Sequence, residues 1–547
     1  MRRAPMKGTG MRLGPTGVAV AVALVAAAVV YAPRAWVSDL GPMPDAGEYA
    51  TSARNLAHLR GFVIELLGRD YPPRYPPGFP LLLAPVFWLP GATLASAIYV
   101  VAAFAVLAVL LTHALARRLG GPVAGLLAAG ALLLRTVFVD WSHQVMSETA
   151  TVATATAIAV LLHHRAQHAG DARRHASLVT IGLVCGVAIL MRYTNLIFVP
   201  AVAIALLVDA RVRAGPWPSA IALGAGPAFA LGVLALDDHV TFGSVARTGY
   251  HYWVPYWHTS LAKTFSLAYA VRQPGDAALG AFGGSPNLIY YGAYILLTVS
   301  SAWFALAAAW GAAVLVRRGN AGTRTVVVYA AALTTFLYLT YGFYFYQSGR
   351  FMAPLIGVFA AVTGAGVADA LRRLGRYREL SLRTVTLAGT ACLLALVGPI
   401  VEMRAVAGRT YIVRRLVLGA SEPAIAQPMS AAVAAYEQTV PRGAVVVTAL
   451  PLTMLDSVVK RGIRVVGLAR TSYWASPQLE RDPVFPERAE EIARSIESGI
   501  PVYTDAYSLS VTPTDPRYGP ARAALKKFRL RPVETPRPTR LYRLDVD

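Results

Sequence analysis

The chain alternates long apolar runs with short polar breaks, and the lengths of the runs set the first expectation. A bilayer core of about 30 Å is crossed by about 20 apolar residues in a helix. Runs of that order occupy Leu13 to Ala32, Ala92 to Leu115, Pro122 to Val139, Val145 to Leu162, Pro218 to Leu236, Leu288 to Val316, Thr325 to Tyr341, Phe351 to Ala368 and Leu382 to Val401. Phe79 to Leu89 is too short and is bounded by prolines, so it reads as an interfacial or partly inserted helix. Ser177 to Val208 fits either one tilted span or two short ones turning at Arg192-Tyr193-Thr194-Asn195.

After Val401 the pattern changes. Ala444 to Thr448 and Ile463 to Leu468 are β-branched, bounded by Gly and Pro, and predict short buried strands. Pro486 to Gly499 predicts a helix: Glu487, Glu490 and Glu491 crowd its first turns, Ile492 and Ile496 share a face, and Gly499 stops it. Val502 and Tyr503 start another strand, and Leu541 to Val546 is the last. The expected fold class is a polytopic α-helical membrane domain over residues 1–401, a connector over 402–430, and a small α/β domain over 431–547. That last domain carries no glycine-rich phosphate-binding fingerprint.

Composition supports the membrane reading. Of 547 residues, 56% are hydrophobic and 15% charged, where a soluble protein carries about 25% charged. The net charge of +22 would suit nucleic acid, but its distribution argues against that partner. The basic residues form short clusters between apolar runs: Arg117-Arg118, Arg173-Arg174, Arg211 with Arg213, Arg317-Arg318, and Arg372-Arg373 with Arg376 and Arg378. Positively charged loops of this kind lie on the cytoplasmic side. The same rule decides Ser177 to Val208, because only two spans there leave every cluster on the N-terminal side. The expectation is about eleven transmembrane helices in the plasma (inner) membrane, with a cytoplasmic N-terminus and an extracytoplasmic C-terminal domain. Arg2, Arg3, Lys7 and Arg12 precede Val18 to Tyr31 without a small-residue cleavage site, which reads as an uncleaved anchor. Cys185 and Cys392 lie inside apolar runs and read as buried hydrophobes.

The candidate chemistry gathers in the outward loops. Asp45 and Glu48, just after the first span, are three residues apart and would share one helix face. The same pair also fits a capping box that starts a helix at Ala46. Tyr75-Pro76-Pro77 and Pro80 make a rigid, non-helical re-entry. Asp140, His143, Ser147 and Glu148 cluster where the third and fourth spans meet. A charge in a span costs roughly 2.5–3.5 kcal/mol at the centre and less near its end, so Glu148 needs either a partner, Arg135 or Arg192, or the positive end of a helix. Arg192 and Arg350 lie at outer span ends, against the positive-inside rule, which suits binding of an anionic phosphate or pairing with Glu148 or Asp140. Tyr250, Tyr252, Trp253, Tyr256 and Trp257 would stack on sugar faces or form an interfacial belt. His251 and His258 are too isolated to be metal ligands.

The ordered set of motifs resembles the GT-C superfamily of polyprenyl-phosphate-sugar-dependent glycosyltransferases, and within it the protein O-mannosyltransferase, lipid A aminoarabinose transferase and rhizobial core transferase group. The resemblance rests on Pro44-Asp45-Ala46-Gly47-Glu48-Tyr49, Tyr75-Pro76-Pro77-Gly78-Phe79-Pro80, Met146-Ser147-Glu148, Leu190-Met191-Arg192-Tyr193-Thr194, Thr241-Phe242-Gly243-Ser244 and Gly349-Arg350-Phe351-Met352-Ala353-Pro354. Many relatives have the two acids adjacent, whereas here Ala46-Gly47 separates them. The resemblance implies a catalytic Asp45 that acts as base toward an acceptor hydroxyl, with inversion at the anomeric carbon. It further implies Glu48 as positioner or acceptor binder, Arg192 and Arg350 as phosphate ligands, and Tyr75 and Glu148 in the substrate site. The implied partners are a polyprenyl-phosphate-linked sugar donor and a glycan, lipid or protein acceptor. Nothing in the sequence requires a cofactor, and a divalent metal stays open. The rival class, a transporter or lipid flippase, would place ionisable groups near the midplane and show repeat symmetry between halves; here they gather at the outer ends.

Overall fold

The computed structural model describes residues 15–31, 44–66, 69–167, 171–207, 216–253, 258–272, 286–296, 302–376, 429–450, 455–468, 484–511, 519–535 and 540–546. Among them, four helices are long and apolar enough to cross a membrane: Leu94–Gly120, Trp217–Phe242, Ala321–Gly342 and Leu355–Arg373. Shorter apolar helices, including Pro122–Leu133 and His175–Met191, complete the bundle. The span that was expected at Leu382 to Val401 lies outside the described residues.

Local chemistry explains most helix ends. Gly121, with φ +91°, follows helix Ile98–Gly120. Its N–H bonds the Arg117 carbonyl, and Pro122 opens the next helix. One expected span is interrupted. Pro122 to Val139 divides into helices Pro122–Leu133 and Thr136–Ser142. At that break the Arg135 N–H reaches back only three residues, to Leu132, and the Arg135 side chain is buried. Within Leu288 to Val316 the described residues form helices Asn287–Tyr294 and Ala302–Arg318, and residues 297–301 lie outside the described set. The fourth span opens at Glu148 rather than Val145.

Ser177 to Val208 does break where the polar turn predicted. Helix Asp171–Met191 ends, Arg192 is extended, and a 3₁₀ turn Tyr193–Ile197 leads into helix Phe198–Leu206. The Asn195 amide fixes the turn by donating to the Ala188 carbonyl at 2.9 Å. Phe79 to Leu89 is short as expected, a helix Gly78–Leu83 followed by a 3₁₀ turn Ala84–Trp88, but Pro80, expected in a non-helical re-entry, lies in the first turn of that helix, where a missing N–H costs nothing.

Among the described residues two small sheets stand beside the helices. A hairpin pairs β1 (Ile64–Leu66) with β2 (Arg69–Tyr71); no strand was expected there. In the C-terminal part, β3 (Val445–Thr448), β4 (Arg464–Gly467), β5 (Val502–Asp505), β6 (Phe528–Val533) and β7 (Leu541–Val546) form one sheet in the order β4-β3-β5-β7-β6. β3 runs parallel to β4 and β5, whereas β7 runs antiparallel to β5 and β6. Helix Phe485–Glu497 covers the sheet with Phe485, Ala489 and Ile492. A helix Met429–Thr439 begins inside the segment expected to be connector. Its Tyr436, together with Val458 and Ile463, belongs to the same apolar cluster as Tyr49, Ile64 and Phe79 of the membrane part.

Candidate active site

The site is built on helix Pro44–Ala57, whose mean hydropathy sets it apart from the spans. Asp45 and Glu48 are one turn apart on it, and both are buried, at 7% and 2% exposure. The helix starts at Pro44, not at Ala46, so Asp45 lies inside its first turn. Its carboxylate serves guanidinium groups. Arg74 Nη2 is 2.7 Å from Asp45 Oδ1, and Arg350 Nη1 is 2.6 Å from Oδ2.

Arg74 is the central cation, and the sequence reading did not single it out. Its guanidinium also approaches Glu48 Oε2 at 3.6 Å, and its own backbone N–H donates to Glu48 Oε1. The Tyr75 N–H donates to the same oxygen at 3.2 Å. Glu48 therefore fastens the chain entering the Tyr75-Pro76-Pro77 segment to the Asp45 helix. Short helix Gly249–Trp253 braces this strand from behind. Trp253 Nε1 donates to the Pro72 carbonyl at 2.8 Å, and a Cβ on Gly249 would lie 2.2 Å from the Pro73 oxygen. Trp253 is thus a buried brace rather than a surface platform.

A second layer lies beside Arg350. Arg192 Nη1 donates to Glu148 Oε1 at 2.9 Å, and Arg350 Nε lies 3.9 Å from the same oxygen. Arg192, not Arg135, is the partner of Glu148 among the two arginines considered. Phe351 lies under both guanidiniums, 5.2 Å from that of Arg192 and 5.7 Å from that of Arg350. Tyr341 stacks on the Phe351 ring at 4.2 Å. Among the described residues, the buried polar atoms Glu148 Oε2, Arg350 Nε and the Ser147 hydroxyl have no hydrogen-bond partner. Buried polar atoms left in this state mark a place for a polar ligand or water. A cavity of about 10 Å³ sits beneath the two arginines, lined by Thr194, Tyr341 and Phe351.

Aromatic rings close the remaining side. Tyr75 stacks on Tyr49 at 4.7 Å, meets Tyr250 edge-on at 5.8 Å, and lies beneath the Arg74 guanidinium. Tyr250 continues to Tyr193 and to His258. The structure thus brings Asp45, Glu48, Tyr75, Glu148, Arg192 and Arg350 into one network. His143 bonds locally to Val139 and Ser142. The Asp140 side chain, Tyr256 and Trp257 lie outside the described residues.

The two acids of this helix differ in proton affinity. Burial raises both. At Asp45 the charges of Arg350 and Arg74, with hydrogen bonds from Arg350 and Tyr75, outweigh burial and hold the carboxyl well below the usual range. At Glu48 burial prevails over Arg74 and the two backbone donors, and the Asp45 charge adds to it, so the carboxyl is pushed up to about 7. Among the described residues the network holds three carboxyls and three guanidiniums. With Glu48 protonated, it carries an excess of one positive charge. Among the described residues no three His, Cys, Asp or Glu side chains come together as a metal site; the acids face arginines instead.

A family model described as dolichyl-phosphate-mannose-protein mannosyltransferase matches residues 74–234. No curated protein matches the chain by sequence. Among solved structures, ArnT from Cupriavidus metallidurans bound to undecaprenyl phosphate is similar with a TM-score of 0.59 and 14% identity, over 97% of this chain and 98% of that one. The oligosaccharyltransferase of Archaeoglobus fulgidus tethered with an acceptor peptide is similar at 0.53 and 13% identity, over 96% of this chain and 74% of that one. AglB from the same organism, in complex with an inhibitory peptide and a dolichol-phosphate, gives 0.53 and 14% over the same shares. The chain has the GT-C type of fold that its ordered motifs led one to expect, an integral membrane bundle with a small C-terminal sheet.

Proposed function

We propose that this integral membrane protein is a glycosyltransferase that moves a sugar from a polyprenyl-phosphate donor to an extracytoplasmic acceptor, with inversion. The observation that carries the reading is the sharing of Asp45 between Arg74 and Arg350, with Arg350 leaning on the Glu148–Arg192 pair. Glycosyl transfer from a lipid phosphate needs a base for the acceptor hydroxyl and positive charge on the departing phosphate. It does not need a general acid, because phosphate already leaves well.

Each residue then has a role. Arg350 and Arg192 hold the phosphate, Glu148 orients them, and Tyr75 walls the sugar cavity. The acceptor oxygen attacks the anomeric carbon from the face opposite the phosphate. The carbon–oxygen bond to phosphate breaks with its electron pair on the phosphate, and the acceptor proton passes to Asp45. With both guanidiniums in place Asp45 is a weak base. A phosphate entering at Arg350 draws that guanidinium away, so donor binding strengthens the base where it is needed. Glu48 holds Arg74 and the acceptor side of the site. The likeness to proteins crystallised with undecaprenyl phosphate and dolichol-phosphate supports this donor class. No transporter stands among the matched proteins reported above. The positive-inside pattern supports a cytoplasmic N-terminus, with the site and the C-terminal sheet on the opposite side.

The test is donor consumption by purified protein supplied with a polyprenyl-phosphate sugar. Asp45→Asn keeps the shape and removes the charge; a lost general base lowers the rate by about 10²–10⁴-fold. Unchanged turnover in Asp45→Asn, with the protein still folded in detergent, sinks the assignment.

A further inference from the structure

Apart from the Asp45 network, the structure holds a second buried carboxylate that joins distant parts of the chain. Glu65 is 4% exposed and lies on β1. Lys460 Nζ sits 2.9 Å from its Oε1 and 3.0 Å from its Oε2, and Arg60 Nη1 donates to Oε2 at 3.2 Å. Lys460 is the last residue of helix Asp456–Lys460, in the C-terminal part of the chain, 395 positions from Glu65. Arg60 lies three residues beyond the helix that carries Asp45 and Glu48.

The hairpin is held on both faces. Ile64, adjacent to Glu65 and therefore pointing the other way, is fully buried in the apolar cluster with Tyr49. The Asn55 amide donates to the Val63 carbonyl at 3.0 Å, which ties the start of β1 to the Asp45 helix. Glu65 stands opposite Asp70 in the ladder. From β2 only Pro72 and Pro73 separate Tyr71 from Arg74, and two prolines fix two φ angles. A shift of the Glu65 strand therefore passes to Arg74 with little slack to absorb it.

We propose that the Lys460–Glu65 contact is a positioning contact through which the C-terminal sheet domain sets Arg74 against Asp45 and Glu48. The domain is then part of the catalytic apparatus, and Lys460 and Glu65 act through Arg74 without touching substrate. The kinetic side of this inference rests on the glycosyltransferase reading; the structural side does not.

The experiment uses the full chain in lipid nanodiscs and compares wild type with Lys460→Ala and Lys460→Arg. Backbone hydrogen exchange over residues 69–75 reads the position of the Arg74 segment, and consumption of a polyprenyl-phosphate sugar reads turnover. Lys460→Ala should speed exchange at Arg74 and Tyr75 while leaving helix Leu355–Arg376 unchanged. It should lower kcat on the order of tenfold, short of the ~10²-fold that a 1 Å misplacement can cost, with the donor KM held. Lys460→Arg should restore both. Unchanged exchange over 69–75 in Lys460→Ala overturns the proposal whatever the turnover. Faster exchange with undiminished kcat also overturns it, by making the contact structural only. If the wild type consumes no donor, the function reading fails while the exchange result still decides the coupling.

Discussion

Asp45 and Glu48 occupy successive turns of one helix, share Arg74, and end with opposite proton affinities. The difference lies in how many cations each receives. Asp45 has a guanidinium on each oxygen, whereas Glu48 has one guanidinium at longer range and two backbone donors. Two carboxyls this close favour a state in which one keeps its proton. The consequence for stability has a definite sign. Glu48 in the folded protein binds its proton more tightly than in the unfolded chain, so its contribution is fully present below about 4.5 and is lost as pH rises to about 7. Glu48→Gln should therefore flatten the fall in melting temperature across that window, read by thermal unfolding in detergent. A slope unchanged from wild type would rule out the raised carboxyl. Asp45, Glu48, Arg192 and Arg350 were legible in the sequence, through helical spacing for the acids and through wrong-side charge for the arginines. Arg74 was not, because a cation in a polar loop violates no rule of periodicity or topology.

At the scale of elements, the site is held by pieces too short to announce themselves. β1 and β2 have three residues each, fewer than an alternating pattern needs to be recognised. Helix Gly249–Trp253 has five, and its sequence reads first as an aromatic belt. Yet these pieces place Arg74 from two sides. Gly249 is required by contact: a Cβ there would lie 2.2 Å from the Pro73 oxygen and 2.6 Å from the Arg74 Cα. Both are backbone atoms, so no side chain can swing aside. Gly249→Ala should destabilise the protein by about 1–3 kcal/mol, the usual cost of overpacking. It should also lower turnover by more than that stability loss explains, because Arg74 moves away from both acids. Thermal unfolding and kcat measured on the same preparation check this; wild-type kcat in a destabilised protein would show that Arg74 tolerates the shift. The long helices were legible from apolar run length. The break at Leu134-Arg135 was not, since an apolar run looks the same whether or not a buried polar group interrupts its hydrogen bonds.

For the whole molecule, the decisive arrangement is the gathering of the Asp45 helix, the Arg350 turn and the C-terminal sheet domain at one end of the bundle. Tyr436 and Ile463 share an apolar cluster with Ile64 and Phe79, so the domain packs onto the site end of the bundle. Because basic clusters alternate with spans, that end is predicted to face away from the cytoplasm. A reporter fused at the C-terminus should score extracytoplasmic, and one fused in the Arg117-Arg118 loop cytoplasmic. A cytoplasmic score at the C-terminus would invalidate the two-span path through Arg192.

The sequence by itself determined the segments: where the apolar runs lie, that residues 192–195 make a turn, that strands and one amphipathic helix follow Val401, and which acids and two of the arginines deserve notice. These are properties a segment carries alone, because apolar transfer and backbone hydrogen bonding act within it. Only the tertiary structure decided which charge meets which. Arg350 reaches Asp45 across 305 positions, Arg192 reaches Glu148 across 44, and Lys460 reaches Glu65 across 395. Ion pairing falls off steeply with distance in space and is indifferent to distance along the chain. The partners of Asp45 are therefore set by how the helices pack, and Arg74 becomes visible only once they have.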